Sequence, residues 1–308
     1  MNRLLERKLL LLLNKESYFA SCDRDDEGRC KAKTGGRSSM IPAKKKDGKW
    51  LLPEHMKGVY VSPSLTDVHV SEDPDSDLLA YGYDAKGRRQ PTYSKAHWEK
   101  QADAKFARTH ELIAMSDRIA DENEDNLRSK DPSIRELAAV TKLIHVTGIR
   151  PGSDRDTKAE KQAYGATTLR ASHVVKTKDG VSLRFTGKKG VDLNIPIKDK
   201  PLAKMLLARK AKEGKLFDVT DSSLRDYVRS LDGGKFHPKD FRTALATKTA
   251  QQLVGSLPSP RDPKSYKTAV KQVATEVSQR LGNTPTVALQ SYINPTVFKE
   301  WRNTSHAS

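Results

Sequence analysis

The chain of 308 residues is long enough for two domains, each with its own hydrophobic core. Lys and Arg total 56 against 39 Asp and Glu, so the formal net charge is +17, which favours a polyanionic partner. Hydrophobic residues make up 36% and charged residues 31%, a polar composition that still contains enough apolar residues to fold. These values exclude a mini-protein and a mostly disordered chain.

The first 40 residues combine Gly, Ser, Lys and Arg without any period, and we interpret residues 1–40 as a flexible basic extension. The two cysteines, Cys22 and Cys30, are too few for a disulfide framework or a four-cysteine zinc site and indicate a reducing compartment. The apolar block Leu9–Leu13 is too short for a secretory signal or a membrane span. We therefore expect a soluble intracellular protein without a membrane partner.

Residues 41–101 are predicted to form a small antiparallel β domain. Short runs rich in β-branched and aromatic residues alternate there with Gly, Pro and Asp turn signals. The predicted strands cover Lys49–Leu52, Val59–Val61, Val68–Val70 and Leu78–Tyr83.

Residues 102–308 are predicted to form a mainly α-helical domain, so the fold class is α+β. One helix is expected from Pro132 to Val146, with Asp131 as N-cap and Gly148 just beyond its end. Two hairpin turns then indicate a three-stranded β insertion, and the helices resume at about residue 201, with a break at 255–265. The inserted strands are predicted at His173–Thr177, Val181–Thr186 and Val191–Ile197.

Several nucleotide and metal motifs are absent from the sequence. It contains no G-x-x-x-x-G-K-[ST] loop, no paired Asp beside a predicted strand end and no H-E-x-x-H spacing. We therefore predict no cofactor, no metal and no ATP hydrolysis. An enzyme that cuts DNA without a metal must neutralise transition-state charge with Arg and Lys and must supply its nucleophile from a side chain.

Three basic residues are candidates for that cationic role. Arg150 follows a predicted helix end, Lys188 lies at a hairpin tip, and Arg242 lies in the first turns of a helix that begins at Pro238. Taken alone, Arg150 and Lys188 are more typical of ordinary basic surface positions than of a catalytic site. A basic residue near a helix N-terminus opposes the helix dipole, which at Arg242 favours a bound anion.

The last segment supplies a candidate nucleophile. Gly282 ends one helix, Thr284 can cap the next, and Pro285 suits its first position. Tyr292 follows Pro285 by seven residues, so we expect it two turns along the same helix face, where it and Asn283 can address one phosphate. A tyrosine with a pKa near 10 needs cations to act as a nucleophile, and alone it is also typical of a helix core.

Taken together and in order, these residues resemble the catalytic motifs of the small type IB DNA topoisomerases of bacteria and poxviruses. The resemblance covers about residues 45–302. It rests on Arg150, on Gly187-Lys188, on Lys239-Asp240-Phe241-Arg242-Thr243, on Leu281-Gly282-Asn283-Thr284-Pro285 leading to Tyr292, on Thr167–Val174, and on the N-terminal strings Leu65–Val68 and Gly82–Gln90.

The resemblance implies a mechanism. Tyr292 would attack the scissile phosphorus and form a 3′-phosphotyrosyl link, and Lys188 would protonate the leaving 5′-oxygen with help from Arg150. Arg150 and Arg242 would bind the nonbridging oxygens. Asn283 stands where many members carry His; it can donate an N–H to the phosphate but cannot become cationic. The implied activity is relaxation of supercoiled duplex DNA without ATP or metal.

The resemblance also implies how DNA is bound. A monomer would clamp the duplex between the β domain and the helical domain, and its basic residues would make affinity depend steeply on salt. Pro91 follows Gln90, where poxvirus relatives carry an aromatic residue that helps to read the cleavage sequence, so the sequence preference stays open. The expected location is the bacterial nucleoid in the cytoplasm, with a nucleus or a virion as alternatives. The expected DNA-contacting residues are Arg88, Arg89, Gln90, Tyr93, Lys95, Lys189 and Lys239.

Two other functions are considered. A tyrosine recombinase shares the Arg, Lys, Arg and Tyr pattern, but it usually has His three residues before the second Arg, where this chain has Lys239. Recombinases also have a helical N-terminal half, whereas this one is predicted to be β-rich. A noncatalytic basic DNA-binding protein would explain the charge of +17 but not the ordered motifs.

Overall fold

The computed structural model describes residues 39–157, 162–211 and 213–305. Contacts within the chain divide it into two compact units that separate between Lys105 and Phe106. The predicted extension, apart from its last two residues, lies outside the described residues, as do Cys22 and Cys30.

The N-terminal unit contains a four-stranded antiparallel sheet in the order β1-β4-β5-β6. A separate two-stranded ribbon pairs β2 with β3 across the predicted turn at Asp47-Gly48. The strands are β1 (Met40–Pro42), β2 (Lys45–Lys46), β3 (Lys49–Trp50), β4 (Thr66–Ser71), β5 (Leu78–Tyr83) and β6 (Arg89–Tyr93).

Some strand predictions in this unit are confirmed and others are wrong. The prediction for Leu78–Tyr83 is confirmed to the residue, and Val68–Val70 lies inside β4. The strand predicted at Val59–Val61 does not form; Val61 instead contributes a buried side chain to the core beside Met56. Only Lys49–Trp50 of the predicted strand Lys49–Leu52 forms, as β3, and strands β1, β2 and β6 are not among the predicted strands.

Both outer strands of the sheet contain a proline. Pro42 lies in β1 opposite His69, and Pro91 lies in β6 opposite Tyr81. Proline has no N–H for the strand ladder, so it fits in a sheet mainly at an edge. The core of this unit lies against the central strand β4, where Val68 and Val70 are both 2% exposed.

The second unit is mainly helical and contains the predicted three-stranded insertion. Strands β7, β8 and β9 form an antiparallel sheet in chain order. The strands are β7 (Val174–Thr177), β8 (Gly180–Gly187) and β9 (Val191–Ile197). The helices, counting the one that crosses the unit boundary, are α1 (Lys95–Ala114), α2 (Ser116–Asn126), α3 (Pro132–Thr147), α4 (Asp154–Thr157), α5 (Lys200–Lys210), α6 (Asp221–Ser230), α7 (Pro238–Ser256), α8 (Pro263–Leu281), α9 (Pro285–Ser291) and α10 (Lys299–Ser305).

The local signals for helix ends act as predicted. The Asp131 carboxylate accepts a hydrogen bond of 2.8 Å from the backbone N–H of Ser133, and the left-handed Gly148 ends α3. The Thr284 hydroxyl caps α9, where Pro285 occupies the first position. The break predicted at 255–265 separates α7 from α8. Helix α1, however, begins seven residues before the predicted start at 102.

Two hydrophobic clusters form the core of the helical unit. One surrounds α3, whose Leu143 and Ile144 are fully buried, and includes β8 and helices α5 and α6. The other surrounds α8 and includes Trp301 of α10. Within the parts of the chain that the structure describes, no helix is both long enough and apolar enough to cross a membrane.

Candidate active site

Arg242 of α7 is the best-buried cation among the predicted site residues, with only 2% of its surface exposed. Its guanidinium donates one hydrogen bond to the carbonyl of Gly148, at the end of α3, and another of 2.6 Å to the carbonyl of Leu281, at the end of α8. Carbonyl groups at a helix C-terminus carry partial negative charge, so they favour a cation there. Burial and the nearby charge of Arg150 lower the pKa of Arg242 to about 10, well above neutrality.

Tyr292 lies next to Arg242 but not on the expected helix. Helix α9 ends at Ser291, and Tyr292 is the residue just past this end, with φ −131° and ψ −28°. The expectation that it lies two turns along the helix face is therefore wrong, because the chain leaves the helix one residue earlier. The centre of the Tyr292 ring lies 4.8 Å from the Arg242 guanidinium carbon.

The environment of Tyr292 favours its charged form. Partial burial of the phenol alone would raise its pKa. The positive charges of Arg242 and Arg150, together with hydrogen bonding to both groups, outweigh burial and lower the pKa of Tyr292 below its usual value of 10.0. A phenol with a lowered pKa is a better nucleophile precursor at neutral pH.

Arg150 and Lys188 lie on the same small pocket as Arg242. Arg150 is half-buried on the loop after α3, and Lys188 is exposed at the tip between β8 and β9. Three cations from three separate segments therefore line one pocket. This arrangement can bind a phosphodiester and stabilise negative charge on it.

The loop of Arg150 is held by a segment that comes shortly before β7. The carbonyl of Arg150 accepts a hydrogen bond of 2.8 Å from the N–H of Ala166, and the carbonyl of Pro151 accepts one of 2.8 Å from the N–H of Thr167. Gly165 touches the loop so closely that an added Cβ would come within 2.5 Å of the Cα of Gly152. A side chain at Gly165 would therefore push against backbone.

Asn283 lies two residues beyond the Leu281 carbonyl that Arg242 binds. The left-handed Gly282, which has φ +59°, ends α8 there, and an added Cβ on Gly282 would meet the side chain of Leu193 in β9 at 2.2 Å. The loop of Asn283 is thus packed against the hairpin that carries Lys188. Both polar atoms of the Asn283 side chain are buried and have no hydrogen-bond partner among the described residues.

The N-terminal unit holds five of the predicted DNA-contacting residues. Arg88 and Gln90 share one partner, since the Asp84 carboxylate pairs with Arg88 at 2.7 Å and accepts a hydrogen bond of 3.0 Å from the Gln90 amide. The hydrogen bond from Arg88 lowers the pKa of Asp84 to about 2. Asp84 therefore remains an anion that orients both side chains, a role that the sequence analysis missed.

Aromatic rings support the other predicted contacts in this unit. The Arg89 guanidinium lies 4.0 Å from the centre of the Tyr81 ring, which in turn stacks on His69 at 5.0 Å. Tyr93 stacks on His97 at 4.2 Å. The exposed Lys95 lies 3.8 Å from Glu99, one turn further along α1.

The two remaining predicted contacts, Lys189 and Lys239, are exposed residues of the helical unit. Lys189 follows Lys188 at the hairpin tip, and Lys239 lies in the first turn of α7. The neighbouring Asp240 has no exposed surface and accepts a hydrogen bond from the N–H of His237, so it caps α7. Across the described ranges, no group of three or more His, Cys, Asp or Glu side chains is arranged to hold a metal ion.

Thr247 of α7 is a positioning residue that the sequence analysis missed. Its hydroxyl donates a hydrogen bond of 3.1 Å to the carbonyl of Tyr292 and accepts one of 3.2 Å from the N–H of Asn294. The buried hydroxyl thus holds the chain on both sides of the candidate nucleophile. Its only sequence signal is a polar residue on the buried side of α7, which does not identify a partner 45 residues away.

Comparison with known families identifies the chain. The family described as eukaryotic DNA topoisomerase I, catalytic core, matches residues 94–306. The chain belongs to this family. The match covers the whole candidate active site, and it agrees with the type IB topoisomerase expected from the motifs.

Viral type IB topoisomerases match most of the chain. DNA topoisomerase 1B of Acanthamoeba polyphaga mimivirus is 27% identical over 280 residues, which cover 81% of this chain and 83% of the relative. DNA topoisomerase 1 of rabbit fibroma virus is 28% identical over 263 residues, covering 80% of each chain. DNA topoisomerase 1B of vaccinia virus, strain Copenhagen, is 24% identical over 265 residues and covers 80% of this chain and 81% of its own. The protein is therefore a poxvirus-like type IB topoisomerase with DNA as its substrate.

Replacing Gly165 by alanine should displace the loop of Arg150. The new methyl group meets backbone atoms that cannot rotate away, so we expect a loss of about 1–3 kcal/mol in the free energy of unfolding and slower DNA cleavage. Denaturant unfolding and single-turnover cleavage measure the two effects. Gly255→Ala is the control, because an added Cβ there has no atom within 4 Å. Equal behaviour of the two variants would contradict the close-contact argument.

Replacing Thr247 by valine keeps the shape of the side chain but removes both hydrogen bonds beside Tyr292. Misplacement of the candidate nucleophile should slow single-turnover cleavage by about tenfold to 10²-fold, with DNA affinity unchanged. Thr247→Ser retains the hydroxyl and should cleave near the unaltered rate. A valine variant as fast as the unaltered protein would show that the hydroxyl does not position Tyr292.

Proposed function

We propose that Tyr292 is the nucleophile with which this topoisomerase cleaves and rejoins one strand of duplex DNA. The observation that carries the proposal is the position of the phenol beside two guanidinium groups that lower its pKa. Cations at that position stabilise both the phenolate and the extra negative charge that develops on the attacked phosphate.

In the proposed step, the Tyr292 phenol gives its proton to water and its oxygen forms a bond to the scissile phosphorus, while the bond from phosphorus to the 5′-oxygen breaks. The product is a 3′-phosphotyrosyl link and a free 5′-hydroxyl. The energy of the phosphodiester is kept in this link, so the reverse attack by the 5′-hydroxyl reseals the strand without ATP. Rotation of the free end before resealing relaxes supercoils of either sign.

Four other residues have separate proposed roles. Arg150 and Arg242 bind the nonbridging oxygens; two of the five N–H groups of Arg242 are used by carbonyls, and its buried Nε–H has no hydrogen-bond partner among the described residues. Asn283 donates an amide N–H to the same phosphate, which is supported by its buried and unpartnered amide. Lys188 protonates the leaving 5′-oxygen with help from Arg150, and its place at an exposed tip gives it access to that atom.

Duplex DNA is proposed to bind as in a clamp, with a monomer contacting it through both units. The basic, exposed residues Arg88, Arg89 and Lys95 supply contacts from the N-terminal unit together with Gln90 and Tyr93. Lys189 and Lys239 supply contacts from the helical unit. Most of these contacts would be to phosphates, so affinity should fall steeply with added salt. We propose that the protein works where the genome lies, which is the nucleoid if the host is bacterial and otherwise a nucleus or a virion.

Relaxation of a negatively supercoiled plasmid in EDTA and without ATP tests this function directly. The proposed enzyme should produce a ladder of relaxed topoisomers under these conditions. A recombinase would need paired recombination sites, and a noncatalytic DNA-binding protein would leave the linking number unchanged after removal of the protein.

Changing Tyr292 to phenylalanine removes only the attacking oxygen. Covalent trapping on a 5′-labelled duplex should disappear, while noncovalent binding should stay within a few fold, because the ring and its contacts remain. Denaturing gel electrophoresis measures the adduct and filter binding measures affinity. A surviving adduct would reject Tyr292 as the nucleophile.

Changing Lys188 to alanine removes the proposed acid. Cleavage should slow by about 10²-fold or more, which corresponds to about 3 kcal/mol. A DNA whose 5′-bridging oxygen is replaced by sulfur should restore the rate, since sulfur leaves without protonation. Lys189→Ala is the matched control variant. It should weaken DNA binding, but the 5′-bridging sulfur should not raise its cleavage rate. Failure of the rescue would assign Lys188 to charge stabilisation.

Changing Asn283 to histidine replaces a neutral donor with one that titrates near pH 6.5. Relaxation should stay measurable, and cleavage should acquire a component that declines as pH rises through about 6.5, because the protonated ring is the stronger donor. Asn283→Leu, which has no donor, should lose about 10²-fold. Complete loss of activity in the histidine variant would show that the pocket accepts only an amide.

A further inference from the structure

The helical unit contains a second cavity that shares no lining residue with the pocket of Arg150, Lys188 and Arg242. Its volume is about 410 Å³, within the range of roughly 300–1,000 Å³ typical of small-molecule sites. Side chains from α2, α3, α7 and α8 line it, together with Asp199 just before α5. Nothing in the topoisomerase reaction proposed above uses this cavity.

The charges around the cavity do not balance. Lys142 pairs with Glu124, and the Asp199 carboxylate is used to cap α5, where it accepts a hydrogen bond of 2.7 Å from the N–H of Leu202. Lys248 and Arg280 are both exposed, and neither has an acidic partner in the described portion of the chain. Three cations therefore face two carboxylates at this cavity, which leaves one positive charge in excess. Lys248 and Arg280 are the two cations without an acidic partner among the described residues, and cations of this kind bind phosphate groups.

The rest of the lining is suited to an organic group. Val146 of α3 and Leu245 of α7 contribute apolar surface, and Gln252 adds an amide. His145 also lines the cavity; burial and the charge of Lys248 lower its pKa, whereas Asp117 acts in the opposite direction. The mixture of apolar surface, a few polar groups and cations is typical of a small-molecule site.

We infer that this cavity binds a small phosphate monoester, with its phosphate between Lys248 and Arg280 and its carbon body against Val146 and Leu245. The proposal is independent of the roles proposed for Tyr292 and its neighbours. Experiments can therefore support or reject the two proposals separately.

Residues that line the cavity are close in sequence to residues that hold the active site, so a bound ligand can affect the active site. Lys248 follows Thr247, which holds the backbone of Tyr292, and Arg280 precedes Leu281, whose carbonyl binds Arg242. On α3, His145 lies three residues before Gly148, the other carbonyl partner of Arg242. A ligand held by these elements should change the cleavage rate constant at saturating DNA.

Phenyl phosphate is a suitable probe, with phenol as the uncharged control of the same ring. In the full chain carrying ¹³C-labelled histidine, phenyl phosphate should shift the His145 ring resonance saturably, and phenol should not. The double variant Lys248→Gln/Arg280→Gln should weaken this binding by at least about tenfold, through loss of two charge-assisted contacts. The control Lys264→Gln/Lys271→Gln makes the same charge change at exposed positions of α8 outside the cavity and should bind normally.

Three results would overturn the inference. An unshifted His145 resonance, or equal loss of binding in both double variants, would show general attraction to a basic protein rather than a site. A His145 shift that a short duplex alone produces through Lys248 and Arg280 would assign the phosphate to the DNA backbone. A cleavage rate that phenyl phosphate leaves unchanged at saturating DNA would remove the regulatory role.

Discussion

The architecture of the helical unit depends on one buried guanidinium. Arg242 binds the carbonyl of Gly148 and that of Leu281, each two residues before a second site residue, Arg150 or Asn283. Burial of the charge is offset because both carbonyls lie at helix C-termini, where a cation is favoured. The same group lies beside the Tyr292 ring, so a single cation both joins the loops and lowers the pKa of the proposed nucleophile. Lysine has no planar fork, so it could not present the same fixed pair of N–H groups to both carbonyls.

Features with a local cause could be predicted from the sequence. The ends of α3 and α9 follow from Asp131, Gly148, Thr284 and Pro285, whose effects act within one helical turn. The three inserted strands follow from alternating apolar residues between turn-forming glycines. The resemblance to the family could also be predicted, because each motif is short and the motifs occur in the expected order along the chain.

Features with distant causes could not be predicted. Tyr292 lies just past the end of α9, and the hydroxyl of Thr247, 45 residues away, binds its carbonyl. The valine-rich run at Val59–Val61 resembles a strand, but the chain there supplies core side chains without pairing. For Tyr292 the contacting residue belongs to another segment, which local propensity cannot report.

The two prolines in the outer strands have a consequence for the behaviour of the protein in concentrated solution. An exposed sheet edge with free N–H and C=O groups invites strands from other molecules to add to it, which is a common start of aggregation. Pro42 interrupts the row of N–H donors on one edge of the N-terminal sheet and Pro91 interrupts it on the other. Neither outer strand can therefore form a complete hydrogen-bond ladder with a strand of another molecule. This opposes edge-to-edge association when many of these molecules lie close together.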